Sequence, residues 1–496
     1  MKVYFSRSSR FFCLVLAVLL ALSLFAGCKN DDKGNSSKDA ASKSTTSYEN
    51  TEIVNQYQEK EHERIPKTAD LDGFEMVFAI HDAEHFFPEE GESAEGDLKR
   101  AEFMEIQQNY NCRILIKETK GDWSEAKAAI VAGEEYANVV MPFVNQAGGF
   151  VQARLCADFL DPEISQYIDM SDPWWNDTMA YASNVLGKVY AGASAVLNPA
   201  VSTWVVFFNK RIATEVGIKE NELYDLWKNK EWNWDAMSKY AKKAVKDLDG
   251  SGVVDSEFDQ WGFVSWGYDC AQAFASSAKV ASITTENGMN PTYTFNTNHC
   301  ISTITKMNTF FTTDGFFKGS SNFIKLFADG QCLFLGYQLI AMSNKDIRAM
   351  EDEWGVLPIP LGPKDGGGWQ DKYISRVDHN VNLGIIPATV ENKEYTALIY
   401  EALTYNCFQI TNKEVDTMAL AYCSDDTAVE VANSIYNTST FEISQFFHSV
   451  NNGAYVNAVE SIMTKVAETP NLDVSGLTMS VAAQAQQIID DYFNGV

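Results

Sequence analysis

From about residue 71 onward, short apolar runs alternate with segments whose apolar residues recur every three or four positions. Met76 to Ile80, Arg113 to Ile116 and Ala137 to Met141 predict strands. Ala101 to Tyr110 and Ser124 to Ala132 predict helices, the second stopped by Gly133. Strand, helix and strand in repeated succession predict βαβ units and an α/β fold. Val205 to Phe208 predicts a further strand, and Trp234, Met237, Ala241, Val245 and Leu248 stand at helical spacing. Cys332 to Leu335, Gly355 to Leu357 and Leu383 to Ile386 predict later strands. No short repeat, long heptad or second membrane span interrupts the pattern.

Before residue 71 the pattern changes. Lys2, Arg7 and Arg10 precede an apolar run from Phe11 to Ala26, shorter than the roughly 20 residues that a spanning helix needs. Residues 1–27 therefore read as a secretory signal. The run closes on Leu24-Phe25-Ala26-Gly27-Cys28, which resembles a bacterial lipobox with Phe25 in place of the usual Leu. The resemblance implies a diacylglyceryl group on the Cys28 thiol and attachment to the outer face of the cytoplasmic membrane. An ordinary secreted chain with an incidental cysteine is the alternative. Residues 28–70 are polar, with only Tyr48 and Tyr57 as aromatics, and predict a flexible spacer.

Composition narrows the partners. The 496 residues carry 39 Lys and Arg against 67 Asp and Glu, a net charge of -28. Loss of the leader leaves 36 basic residues against 67 acidic ones, a charge of -31. A phosphate-seeking nucleic-acid protein needs a basic face, so nucleic acid is not the expected partner. Eleven Trp, 21 Tyr and 30 Phe exceed what a core of this size needs, and some of those rings are expected to face a ligand. Cys112, Cys156, Cys270, Cys300, Cys332, Cys407 and Cys423 form no CxxC pair and read mostly as buried thiols, with one disulfide as the alternative.

Two strings suggest metal chemistry. His81-Asp82-Ala83-Glu84-His85 fits an inverted zinc-protease pattern, but Phe86-Phe87-Pro88 follows at once and leaves no sustained helix to chelate zinc. The preferred reading places His81 and Asp82 at the carboxyl end of the first strand, where open α/β sheets hold ligands. Asp247, Asp249, Ser251, Val253 (through its carbonyl) and Asp255, with Gly252 one place after Ser251, suit an oxygen-lined calcium loop, although Phe258 stands where the closing Glu is expected and Glu257 or Asp259 would have to substitute. A solvated acidic turn is the alternative to structural calcium. No G-x-S-x-G, Walker loop or G-x-G-x-x-G following a strand occurs. Paired carboxylates for glycoside hydrolysis remain an open alternative, because so many acids make some pair inevitable.

The order of several segments carries a resemblance. Phe207-Phe208-Asn209-Lys210-Arg211, Glu215-Val216-Gly217-Ile218, Trp232-Asn233-Trp234-Asp235 and Asp247 to Phe263 are similar to a run in family 1 extracellular solute-binding proteins. Asp172-Pro173-Trp174-Trp175-Asn176 upstream, with Phe327 to Tyr337, Glu353 to Pro360 and Leu383 to Pro387 downstream, resemble that family in the same order. The family consists of receptor subunits of ABC importers, chiefly for sugars.

The resemblance implies a two-lobed, periplasmic-binding-protein-like fold of type II, with a cleft between lobes joined by hinge crossovers. One lobe would take residues 71–200 and 381–430, the other 201–380 and 431–496. It further implies a monomeric, non-catalytic receptor that needs no cofactor and delivers a sugar or oligosaccharide to ABC permease transmembrane subunits. Candidate ligand contacts are His81, Asp82, Asn145, Gln146, Trp204, Trp266, Tyr337 and Trp369. A surface glycoside hydrolase, or a solute sensor of the same fold, is the rival reading.

Overall fold

The computed structural model describes residues 62–91, 93–255, 257–312, 316–423, 425–436 and 438–495. The leader, Cys28 and the spacer up to residue 61 lie outside the described residues. His62 to Val496 forms one compact unit. The first lobe is built on β1 (Phe74–Ile80), α1 (Ala94–Asn109), β2 (Cys112–Glu118), α2 (Ser124–Val131), β3 (Val139–Met141) and α3 (Val144–Gln152). Its strands are parallel in the order β2-β1-β3, with Phe74 opposite Cys112 and Phe78 opposite Val139. Met76, Phe78 and Ile80 pack with Phe103 and Ile106 of α1, whereas Ala79 points to the other face with Ala126, Ile130 and Phe150. Burying each large side chain in this way stabilises the lobe by about 1.5–3 kcal/mol.

Helix α1 begins seven residues before the predicted Ala101, because Ser93 Oγ accepts the Gly96 amide and caps a first turn that is too polar to show an apolar period. The predicted strand over Leu383 to Ile386 is extended chain held by single bridges: Ile385 pairs with Val140 and Gly384 with Gly192. Gly384 is required there, since a Cβ would overlap the Tyr400 hydroxyl.

The second lobe carries β4 (Trp204–Asn209), α4 (Trp234–Ala244), β5 (Trp261–Ser265), α5 (Gly267–Ser277), α6 (Asn298–Phe311), β6 (Phe317–Gly319), β7 (Cys332–Gln338) and β8 (Trp354–Pro358). The sheet order is β6-β5-β7-β4-β8, with β4 antiparallel to both neighbours. The helical period read through Val245 and Leu248 stops at Ala244. Val245 turns extended, and Leu248 stands 57% exposed in the acidic loop.

Extended segments join the lobes side by side. Thr203 bridges Val377, and β9 (Ser375–Arg376) pairs in parallel with β10 (Ser439–Thr440). Helix α7 (Lys393–Tyr422) is shared: Ala397 to Phe408 pack with Phe78 and Ile80, while Val415, Met418 and Ala419 join the other core. Helices α8 (Ser461–Glu468) and α9 (Val474–Gly495) follow.

The C-terminal segment, expected on the second lobe, also grips the first. Gly148 of α3 lies so close to Phe446 that a Cβ would overlap its carbonyl, and Arg154 Nε donates to Gly495 O at 2.6 Å. The spacer, too, ends earlier than residue 70. Glu401, fully buried on α7, accepts Trp174 Nε1 (2.8 Å) and Trp175 Nε1 (2.7 Å), and His62 Nε2 lies 2.7 Å from it. Arg64 pairs with Asp172, and Tyr110 donates to Pro66 O at 2.7 Å. These contacts fix residues 62–66 to the body. All seven cysteines from Cys112 to Cys423 are free thiols. No helix among the described residues is long and apolar enough to cross a membrane.

Candidate functional site

Pairing fixes which strand ends meet. The amide of Asn145, at the start of α3 just past β3, donates to His379 O on the crossover at 3.2 Å. Gln338, the last residue of β7, pairs with Trp204 immediately after the crossover. The carboxyl ends of the parallel strands in both lobes therefore face the crossovers, where α/β sheets present ligand-contacting loops. The first lobe contributes His81 and Asp82 after β1, Thr119 to Gly121 after β2 and Phe143 to Asn145 after β3. The second contributes Trp266 after β5 and Tyr337 on β7.

The expected contacts divide by what their polar atoms and rings already touch. His81 and Asp82 are exposed; the His81 ring stands edge-on to Phe143 at 6.1 Å, with Nδ1 3.4 Å from Thr119 O. The four-residue helix Ala83–Phe86 gives the H-x-x-E-H string only about one turn. Asn145 donates to Asn380 Oδ1 at 3.0 Å and leaves its own Oδ1 without a partner. Gln146 is a different case: its Oε1 accepts Trp123 Nε1 (2.9 Å) and the Phe143 amide (3.2 Å), while Nε2 donates to Gly121 O (3.1 Å). Gln146 holds the loops in place and has no amide group to spare.

Among the rings, Trp266 is 46% exposed and caps the start of α5. Phe323 bridges it to Tyr337, at 6.3 and 4.8 Å. Trp204 is not a cleft platform. It is 1% exposed, edge-on to Tyr337 at 5.7 Å, and its Nε1 donates to Asp378 Oδ2 at 2.9 Å. Trp369 also lies elsewhere: the next residue, Gln370, donates to Ala278 O just past the far end of α5, about 16 Å of helix from Trp266. Its ring packs beneath Lys306 at 4.4 Å.

In the acidic loop, carboxylate oxygens of Asp247, Asp249 and Asp259 lie within 4.8 Å of one another, and Asp255 is outside that group. Asp247 accepts the Gly250 and Gly252 amides, both at 2.7 Å, and Ser251 Oγ donates to Val253 O at 2.9 Å.

No protein-family model matches the sequence, and no curated protein does. Solved structures do match. The cyclic α-maltosyl-1,6-maltose binding protein of Arthrobacter globiformis aligns with a TM-score of 0.55 at 11% identity, covering 84% of this chain and 100% of that one. UgpB of Mycobacterium tuberculosis, in complex with glycerophosphocholine, aligns at 0.54 and 14%, covering 84% and 98%. The ABC substrate-binding protein Lmo0181 of Listeria monocytogenes, in complex with cycloalternan, aligns at 0.51 and 13%, covering 84% and 99%. The chain has the fold of these two-lobed substrate-binding proteins.

Within that substrate-binding fold, the crossover region holds a polar cluster that no local sequence signal announces. Asp269 comes from the first turn of α5; Arg376, Asp378 and His379 from the crossover; and Glu442, His448 and Glu460 from the C-terminal segment. Arg376 and Glu460 are almost fully buried. Burial, reinforced by Asp378, raises the Asp269 carboxyl to about 7. Burial also lowers His379 to about 3, so its ring is neutral at pH 7. Desolvation raises Glu442, partly offset by Arg376. His448 Nε2 lies 2.5 Å from Glu460, whose carboxylate also accepts the Tyr268 hydroxyl.

Proposed function

We propose that this protein is the substrate-binding receptor of an ABC importer, capturing a sugar or oligosaccharide between its lobes and delivering it to a membrane permease without chemical change. One observation carries the reading: in a substrate-binding fold, the half-exposed Trp266 ring and the polar ends of β1 and β3 stand at the carboxyl strand ends that face the crossovers. An aromatic face opposite amides and acids suits the C–H faces and hydroxyls of a sugar. Two proteins of similar fold are described in complex with cycloalternan and with maltotetraose, which adds support for this ligand class.

The reading includes export, a lipid on Cys28 holding the receptor at the outer face of the cytoplasmic membrane, a monomeric state, and calcium in the loop of Asp247, Asp249 and Asp259. Calorimetry of the full chain against linear and cyclic glucans, with glycerophosphodiesters for comparison, tests the ligand. Saturable one-to-one binding with the glycan recovered intact is expected. New reducing ends, or no binding to any glycan, would overturn the reading. Palmitate labelling that is lost in Cys28→Ala tests the anchor.

A further inference from the structure

Four acidic side chains, Asp269, Asp378, Glu442 and Glu460, gather near Arg376, His379 and His448 around the crossover. The buried Arg376 guanidinium feels Glu442 most strongly, then Asp269 and Asp378, while Glu460 is engaged by His448 and the Tyr268 hydroxyl. Asp378 already accepts Trp204 Nε1 and the Asn380 amide, both at 2.9 Å. Asp269 Oδ1 and His379 Nδ1 face each other at 3.3 Å, both shielded from solvent and neither aligned in a hydrogen bond. His379 is 8% exposed, so its ring nitrogen lies away from bulk solvent. One ligand atom from each of Asp269, Asp378 and His379 lies within 4.8 Å of the others. His448 supports the His379 ring from behind, with centroids 4.7 Å apart.

A carboxyl oxygen and an imidazole nitrogen that face each other without an aligned hydrogen bond are two buried polar atoms left uncompensated, and both are metal-ligand atoms. A divalent ion satisfies both at once. One nitrogen and two carboxylates favour zinc and its transition-metal neighbours over calcium or magnesium, which take oxygen shells. We propose that Asp269, Asp378 and His379 form a zinc-type divalent metal site at the crossover. The ion would tie the first turn of α5, in the second lobe, to the crossover, and so restrain the hinge. The site is separate from the acidic loop, which precedes the opposite end of β5, and it does not depend on the identity of the transported ligand.

The test is calorimetric titration of the chelator-treated, dialysed full chain with zinc chloride. One saturable site is expected. His379→Gln and Asp269→Asn should each weaken it at least tenfold, whereas Glu163→Gln, at an exposed carboxylate of the first lobe, should leave it unchanged. Circular dichroism separates lost ligands from lost folding. Spin-echo modulation from copper(II) bound to the wild type reads imidazole coordination directly, whether or not a variant folds. Absence of saturable zinc uptake, oxygen-only coordination, or wild-type affinity in both folded variants would overturn the assignment.

Discussion

Trp204 and Trp266 are the same residue type near the same strand ends, yet their environments assign them opposite tasks. Trp204 is enclosed and hydrogen-bonded to Asp378, so Trp204→Ala should cost about 3–5 kcal/mol in urea-unfolding stability. Trp266 is only about half buried, so Trp266→Ala should cost no more than about 1–2 kcal/mol in the same assay, well below the Trp204 variant. The same substitution should weaken ligand binding by about 1–3 kcal/mol in calorimetry. Glu401 makes the opposite kind of claim, because its buried carboxylate meets two indole N–H groups and His62. Glu401→Ala strands those groups and should destabilise the body by about 3–5 kcal/mol in the same unfolding assay. Residue type alone made Gln146 and Asn145 equal candidates. Only long-range bonds to Trp123 and Gly121 show that Gln146 is already spent.

Elements were legible where their signal is local. The strands β1, β4, β7 and β8 coincide with apolar runs, because a strand covered on both faces must be apolar along its length. Boundaries failed where polar chemistry takes over: Ser93 starts α1 ahead of any apolar period, and α4 stops before Leu248, where the acidic loop begins. That loop yields its own test. If calcium sits among Asp247, Asp249 and Asp259, chelation should lower the melting temperature of wild type and have no effect on Asp247→Asn. The contact of α3 with the C-terminal segment depends on a missing side chain. Gly148→Ala would push against the Phe446 carbonyl and should cost about 1–3 kcal/mol, read as a lower urea midpoint.

For the whole molecule, extended crossovers and a shared helix couple two lobes around one cleft, an arrangement suited to hinge closure on a ligand. Solution X-ray scattering should show a smaller radius of gyration on addition of a binding glycan, and the shift should disappear in Trp266→Ala at the same glycan concentration. The sequence by itself determined the α/β class, the succession of elements and the strand ends from which His81, Asp82, Asn145 and Trp266 project. Those features follow from periodicity and apolar runs, which neighbouring residues specify among themselves. The tertiary structure alone decided which rings are enclosed, that residues 62–66 belong to the body, and that Asp269, Asp378, His379, His448 and Glu460 share one cluster. Those residues come from segments far apart in the chain, and their charge and burial arise only when folding removes water from between them.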